Sequence, residues 1–219
     1  MPLATAGPAP RRLRPEVSAV PRYSAAVSAA LAALALATAP ARLHAQGAAL
    51  SVEWRGGVAV PLASFADGSE VGEGTGAGPA FGVEVAFRGG QGRRTLYAGF
   101  SQLRFGCDAA GCPAGEPYVA TGVNAGLRLT LLPSHRVLPW IGVGALTTRV
   151  ESPGVRGSPP GVSTLGYGGE ISAGLYLSVG RSVAFTPSVR FTGAGTELAG
   201  GAPLSLRYLV ADLGLVLAF

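Results

Sequence analysis

The sequence predicts an all-β chain: eight antiparallel strands closed into an up-and-down transmembrane barrel, preceded by a cleavable signal peptide. Three observations predict it. Apolar residues recur with period two in eight segments, which puts them on one face of each strand. The segments are joined alternately by short turns and by longer Gly/Pro-rich loops. Eight charged residues inside the segments, four acids and four Arg, fall on the face opposite the apolar row, the reverse of what a barrel in water needs.

The 219 residues suit one domain, and 48% of them are hydrophobic. Mean hydropathy is +0.37. A helical span needs about 18 or more consecutive apolar residues. The longest run, "AAVSAALAALALATA" at 25–39, has fifteen. It follows Arg11, Arg12, Arg14 and Arg22 and precedes "PARLHAQ", so residues 1–45 read as a secretory signal peptide cut after Ala45. Leu43 stands where a small residue is usual, which lets the cleavage site shift slightly. An N-terminal anchor helix is the competing reading, and the run is short for it. The Arg11–Arg12 pair matches only the start of a twin-arginine export motif.

The barrel domain then takes residues 46–219. The first 45 residues carry five Arg and one Glu, leaving 12 Arg and 11 acidic residues in the 174 that follow. That near balance, with no Lys anywhere, excludes nucleic-acid binding as an expectation.

The strands follow in order. The first, near 50–60, has Leu50, Val52, Trp54, Val58 and Val60 on its apolar face. The second, 80–88, shows Phe81, Val83, Val85 and Phe87; the third, 94–105, shows Leu96, Ala98 and Phe100. The fourth is the most regular: Val119, Thr121, Val123, Ala125, Leu127, Leu129 and Leu131 alternate with Ala120, Gly122, Asn124, Gly126, Arg128 and Thr130. The fifth, 138–150, offers Ile141, Val143 and Ala145, and the sixth, 165–179, Ile171, Ala173, Leu175 and Leu177. The seventh, 183–192, carries Val183, Phe185, Val189 and Phe191, with Pro187 suggesting a local bulge. The eighth carries Leu209, Leu213, Leu215, Leu217 and Phe219.

Short turns at 89–93, 133–136 and 180–182 follow the even strands, and loops at 61–79, 106–117, 152–163 and 199–203 follow the odd ones. A soluble lipocalin-like barrel is the rival fold. Here, however, Glu53, Arg55, Glu84, Arg88, Arg128, Glu170, Arg190 and Asp212 all lie opposite the apolar row. Facing lipid, each Arg at mid-membrane would cost up to about 2–4 kcal/mol. Facing a lumen only wide enough for side chains, they must pair. A salt-bridged plug is the expectation, and a proton or ion path is the alternative. Phe87, Trp140, Phe185 and Phe219 near the short turns, with Phe105, Tyr118, Tyr167 and Tyr208 near the loops, suggest two aromatic girdles, although Trp140 has the wrong parity for lipid.

The terminal "DLGLVLAF" resembles an assembly signal. Asp212 holds its polar position, Gly214 its glycine, Leu217 its apolar position and Phe219 its terminal aromatic. With the signal peptide and the eight strands, this stretch resembles the β-signal of the small OmpA/OmpX-type bacterial outer-membrane β-barrel family, over the whole mature chain. The resemblance implies residence in the outer membrane of a diderm bacterium and the barrel assembly machinery as a partner in biogenesis.

Few residues suggest chemistry. Cys107 and Cys112, four residues apart in a loop of an exported chain, are expected to form a disulfide. A metal site there lacks further ligands. His135 sits in a short turn beside Ser134; a lipid-A-modifying enzyme needs its base and nucleophile at the other rim, so no enzyme is expected. The "GEGTGAG" stretch at 72–78 lacks both the spacing and the following helix of a phosphate loop.

Asp67, Glu70, Glu73, Asp108, Glu116 and Glu151 in the loops are solvated charges or bridges through divalent cations to lipopolysaccharide. Arg93, Arg94, Arg136 and Arg181 at the short turns face anionic headgroups. The expected role is structural or surface-interacting, as a monomer without cofactor, in contact with outer-membrane lipids and lipopolysaccharide; a narrow solute pore is the alternative.

Overall fold

The computed structural model describes residues 49–63, 65, 74–89, 93–107, 116–131, 137–153, 160–198, 201 and 203–219. The expected signal peptide lies outside them. So do Cys112, His135, Arg136, Asp67, Glu70, Glu73 and Asp108.

Ten strands follow one another: β1 (Ala49–Pro61), the short β2 (Thr75–Gly76), β3 (Gly78–Arg88), β4 (Arg94–Cys107), β5 (Tyr118–Thr130), β6 (Val137–Ser152), the short β7 (Gly161–Val162), β8 (Gly166–Ser178), β9 (Val183–Glu197) and β10 (Pro203–Ala218). The eight long strands match the eight expected segments. Each pairs antiparallel with its neighbours in the chain, and β1 also pairs with β10, which closes an up-and-down barrel. β2 and β7 are two-residue additions inside long connections, pairing with β4 and β6. They are too short to show any period.

One boundary moved: β9 runs to Glu197 instead of 192, whereas β10 starts at Pro203, where the expected loop at 199–203 ends. In β9 beyond 192 and in β10 ahead of Leu209 the outward positions hold Gly193, Gly195, Ser205 and Arg207, so the apolar row fades while the backbone ladder continues. Pro187 makes no bulge. Its register with Leu213 on β10 is unbroken, and the β8–β9 ladder omits two pairs between Gly174↔Ser188 and Leu177↔Phe185 without slipping. A proline removes a donor but need not insert a residue.

The faces sort as the parity predicts. Outside, Trp54, Phe81, Leu96, Val123, Val143, Ile171, Val189 and Leu213 are exposed, Ile171 by 60%. A belt of this extent far exceeds the apolar patches of monomers in water. Val52 has the same parity but is covered, between Val85 and Leu217 in the ladder.

Inside, the lumen is filled in three tiers rather than by charges alone. At the long-loop end Phe65, Phe105, Tyr118, Tyr208, Leu204, Leu206 and Val150 form an apolar plug. The ionic residues occupy the middle. Trp140, Tyr176 and Val216 close the short-turn end.

The plug corrects the expected outer girdle. Phe105 is 0% exposed, and Tyr118 and Tyr208 are buried with it; of the four aromatics only Tyr167, 68% exposed, faces outward. Phe65 meets Phe105 edge-on at 4.8 Å, and Phe105 meets Tyr208 at 5.4 Å. Phe65 reaches them because the chain beyond β1 stays on β10: Leu62 N–H donates to the Arg207 carbonyl at 2.8 Å and Ser205 N–H to that of Phe65 at 3.0 Å. At the other end Phe87, Phe185 and Phe219 do face outward, and Trp140 is inside at 1% exposure.

The outward belt makes a direct prediction. Ile171→Arg in the middle of β8 lowers unfolding stability in lipid bilayers by about 2–4 kcal/mol, measured by urea titration. A barrel with a hydrated exterior would tolerate the change.

Candidate functional site: a buried ionic hub

Inward positions at mid-height on six strands bring the ionic residues together. Arg128 on β5 is the hub. Its NH1 donates to Glu53 of β1 at 2.7 Å and to the Tyr176 hydroxyl of β8 at 3.0 Å, and its NH2 pairs with Glu84 of β3. The same guanidinium lies 4.5 Å from the Trp140 ring centroid and 4.7 Å from that of Tyr97. Two carboxylates and two ring faces around one buried cation replace much of its lost hydration.

The other cations extend the network. Arg55 pairs with Glu84. Arg190 on β9 donates to Asp212 of β10 through NH2 at 2.5 Å and Nε at 3.1 Å, and its NH1 lies 3.9 Å from Glu170 of β8. Four carboxylates thus share the three guanidinium groups of Arg55, Arg128 and Arg190. Neutral donors complete the acceptor sites. Tyr97 hydroxyl donates to Glu170 at 2.7 Å, Asn124 Nδ2 to Glu170 at 3.0 Å and to Glu84 at 3.3 Å, Thr186 to Glu53 at 2.5 Å, and Ser188 to Asp212.

Small residues make this density possible. Tyr97 lies along the inner wall over Gly126 and Gly144 of the next two strands: a Cβ on either would come within 2.5 Å of its hydroxyl. Gly214 leaves room for the Glu53 carboxylate and the Thr186 hydroxyl, which a Cβ would meet.

The structure brings Glu53, Arg55, Glu84, Arg128, Glu170, Arg190 and Asp212 into this one network, and leaves Arg88 out of it. Arg88 is half-buried at the short-turn rim, its guanidinium 5.4 Å from the Tyr176 ring and paired with no carboxylate among the described residues. Tyr97, Tyr176, Thr186 and Ser188 complete the hub without having been singled out by charge; their inward parity was the available signal. In the terminal stretch Asp212 and Gly214 face the lumen, Leu217 and Phe219 face outward, and Phe219 N–H donates to the Leu50 carbonyl at 2.8 Å. Cys107 ends β4 beside Thr75 of β2.

A closed eight-stranded up-and-down barrel, apolar outside and ion-paired within, defines the class of architecture found in small outer-membrane barrels. No family model and no curated protein matches the chain. Among solved structures it is similar to Neisserial surface protein A, at 12% identity and a TM-score of 0.56 over 79% of this chain and 97% of that one. It is also similar to the outer membrane protein OprG from Pseudomonas aeruginosa, at 10% identity and a TM-score of 0.53 over 80% and 97%. At such identities the likeness is one of fold.

The hub and the rim predict different costs. Arg128→Ala leaves Glu53 and Glu84 short of a buried partner and lowers stability by about 3–5 kcal/mol. Arg88→Ala changes it by no more than about 1 kcal/mol. Urea titration of the refolded barrel, followed by tryptophan fluorescence, measures both.

Proposed function

We propose that the chain is an integral outer-membrane β-barrel protein whose role is structural and surface-interacting. One observation carries this reading: the lumen is filled from end to end by side chains. The aromatic plug, the ionic hub and the Trp140–Tyr176 pair leave cavities of only about 20 Å³ beside the hub and about 100 Å³ at the short-turn mouth. A lumen so occupied by the described residues favours contact with other molecules at the outer surface and the loops.

The exterior supports the setting. Outward Arg104, Arg149 and Arg207 are exposed toward the long-loop end, and Arg93, Arg94 and Arg181 toward the short turns. Cations above and below an apolar belt suit the anionic headgroups of lipopolysaccharide and phospholipid. Assembly by the barrel machinery through the terminal stretch, a monomeric state, a Cys107–Cys112 disulfide pinning its loop and the absence of enzymatic activity belong to the same proposal.

Two measurements test it. In an outer-membrane fraction, the unboiled protein is expected to migrate differently from the boiled one, as a detergent-resistant barrel does. In planar bilayers the wild-type chain is expected to show no steady conductance. Steady, ion-selective conductance that changes in Glu84→Ala would replace the plugged barrel with a narrow pore, and a soluble protein without a mobility shift would overturn the membrane setting.

A further inference from the structure

We propose that the short-turn mouth of the barrel binds a phosphate group or a similar small oxyanion. The cavity of about 100 Å³ there is lined by Arg88, Arg181, Ser51, Ser178, Ser182 and the Tyr176 ring, over an apolar floor that includes Val216. Both charged residues among its lining are cationic, and neither is paired with a carboxylate among the described residues.

The contrast with the hub is the core of the inference. Arg55, Arg128 and Arg190 each meet a carboxylate, as burial demands. Arg88 is on the same inward face of β3 as Glu84, yet it meets only a ring, at 5.4 Å. No carboxylate among the described residues takes its N–H donors, and a guanidinium fork of this kind suits the oxygens of a phosphate. Arg181 brings a second cation from the β8–β9 turn, and the serines bring hydroxyl donors from β1, β8 and that turn. The cavity has room for a group of phosphate size.

The position selects the source. Ser51, Arg88, Tyr176 and Ser178 have inward parity, so the cavity belongs to the lumen mouth and not to the lipid-facing belt. A soluble anion arriving from the aqueous side is the expected occupant. A lipid headgroup phosphate bending into the mouth offers the same chemistry.

The test uses the full chain folded in an uncharged detergent, with inorganic phosphate titrated by calorimetry. One saturable site is expected. Arg88→Gln weakens it by about tenfold or more, as loss of a charge-assisted bond does. Arg181→Gln, an exposed side chain in the β8–β9 turn, also weakens it and serves if Arg88→Gln fails to fold. Arg94→Gln, on the outward face of the same rim, leaves binding unchanged. Gel mobility of unboiled samples verifies that each variant is a folded barrel.

Repeating the titration in phosphatidylglycerol nanodiscs separates the sources. Retained phosphate binding identifies a soluble anion, and phosphate binding suppressed there but present in detergent identifies the headgroup in the same site. Absence of saturable phosphate binding in detergent, or equal binding by the wild type and the folded Arg88→Gln and Arg181→Gln variants, overturns the proposal.

Discussion

A strand whose outer face meets lipid has no water for its backbone N–H and C=O groups, so the ladder has to return on itself. Here β1 makes the return against β10, from Ser51 opposite Ala218 to Pro61 opposite Tyr208. That closure decides the rest. It fixes which parity faces inward on every strand, because each ladder keeps a single register and a slip of one residue would exchange the faces. With eight strands it also sets a lumen that side chains can fill. Inward residues therefore have to fit one another along the inner wall, which is why Tyr97 needs Gly126 and Gly144 beside it on the next two strands.

Within so narrow a lumen the ions are shielded from bulk water. Their arrangement follows from that shielding. Each carboxylate of the hub has a guanidinium partner and neutral donors besides, and Arg128 adds two aromatic faces to its carboxylates. The apolar tiers on either side lengthen the distance to solvent, which strengthens every pair and raises the cost of leaving any group unpaired. β10 shows all three tiers along one strand: Tyr208 and Val210 in the plug, Asp212 and Gly214 at the hub, Val216 below.

The two mouths differ in consequence. The long-loop mouth is stoppered by Phe65, delivered by a chain that keeps pairing with β10 after β1 has ended. The short-turn mouth has no such segment among the described residues, and its cation, Arg88, rests on Tyr176 beside an open cavity. The long-loop end is packed out to its mouth, whereas the short-turn end is packed only as far as Trp140, Tyr176 and Val216 and has a polar-rimmed cavity beyond them.

The sequence by itself determined the strand number, the alternation of loop lengths and the sidedness of nearly every strand residue. These are consequences of period two acting locally, and Arg128 and Leu129 show it in a single step. It also placed all seven charged residues of the hub on the inner face. Only the tertiary structure decided which of them pair, because Glu53, Glu84 and Arg128 come from three strands and meet through the height of each strand in the closed barrel. Height also separates Arg88 from the hub it shares a face with, and puts Phe105, Tyr118 and Tyr208 together as a plug where position along the chain alone had suggested a girdle. Parity is encoded residue by residue, whereas contact across a lumen depends on closure, stagger and the space that small residues leave.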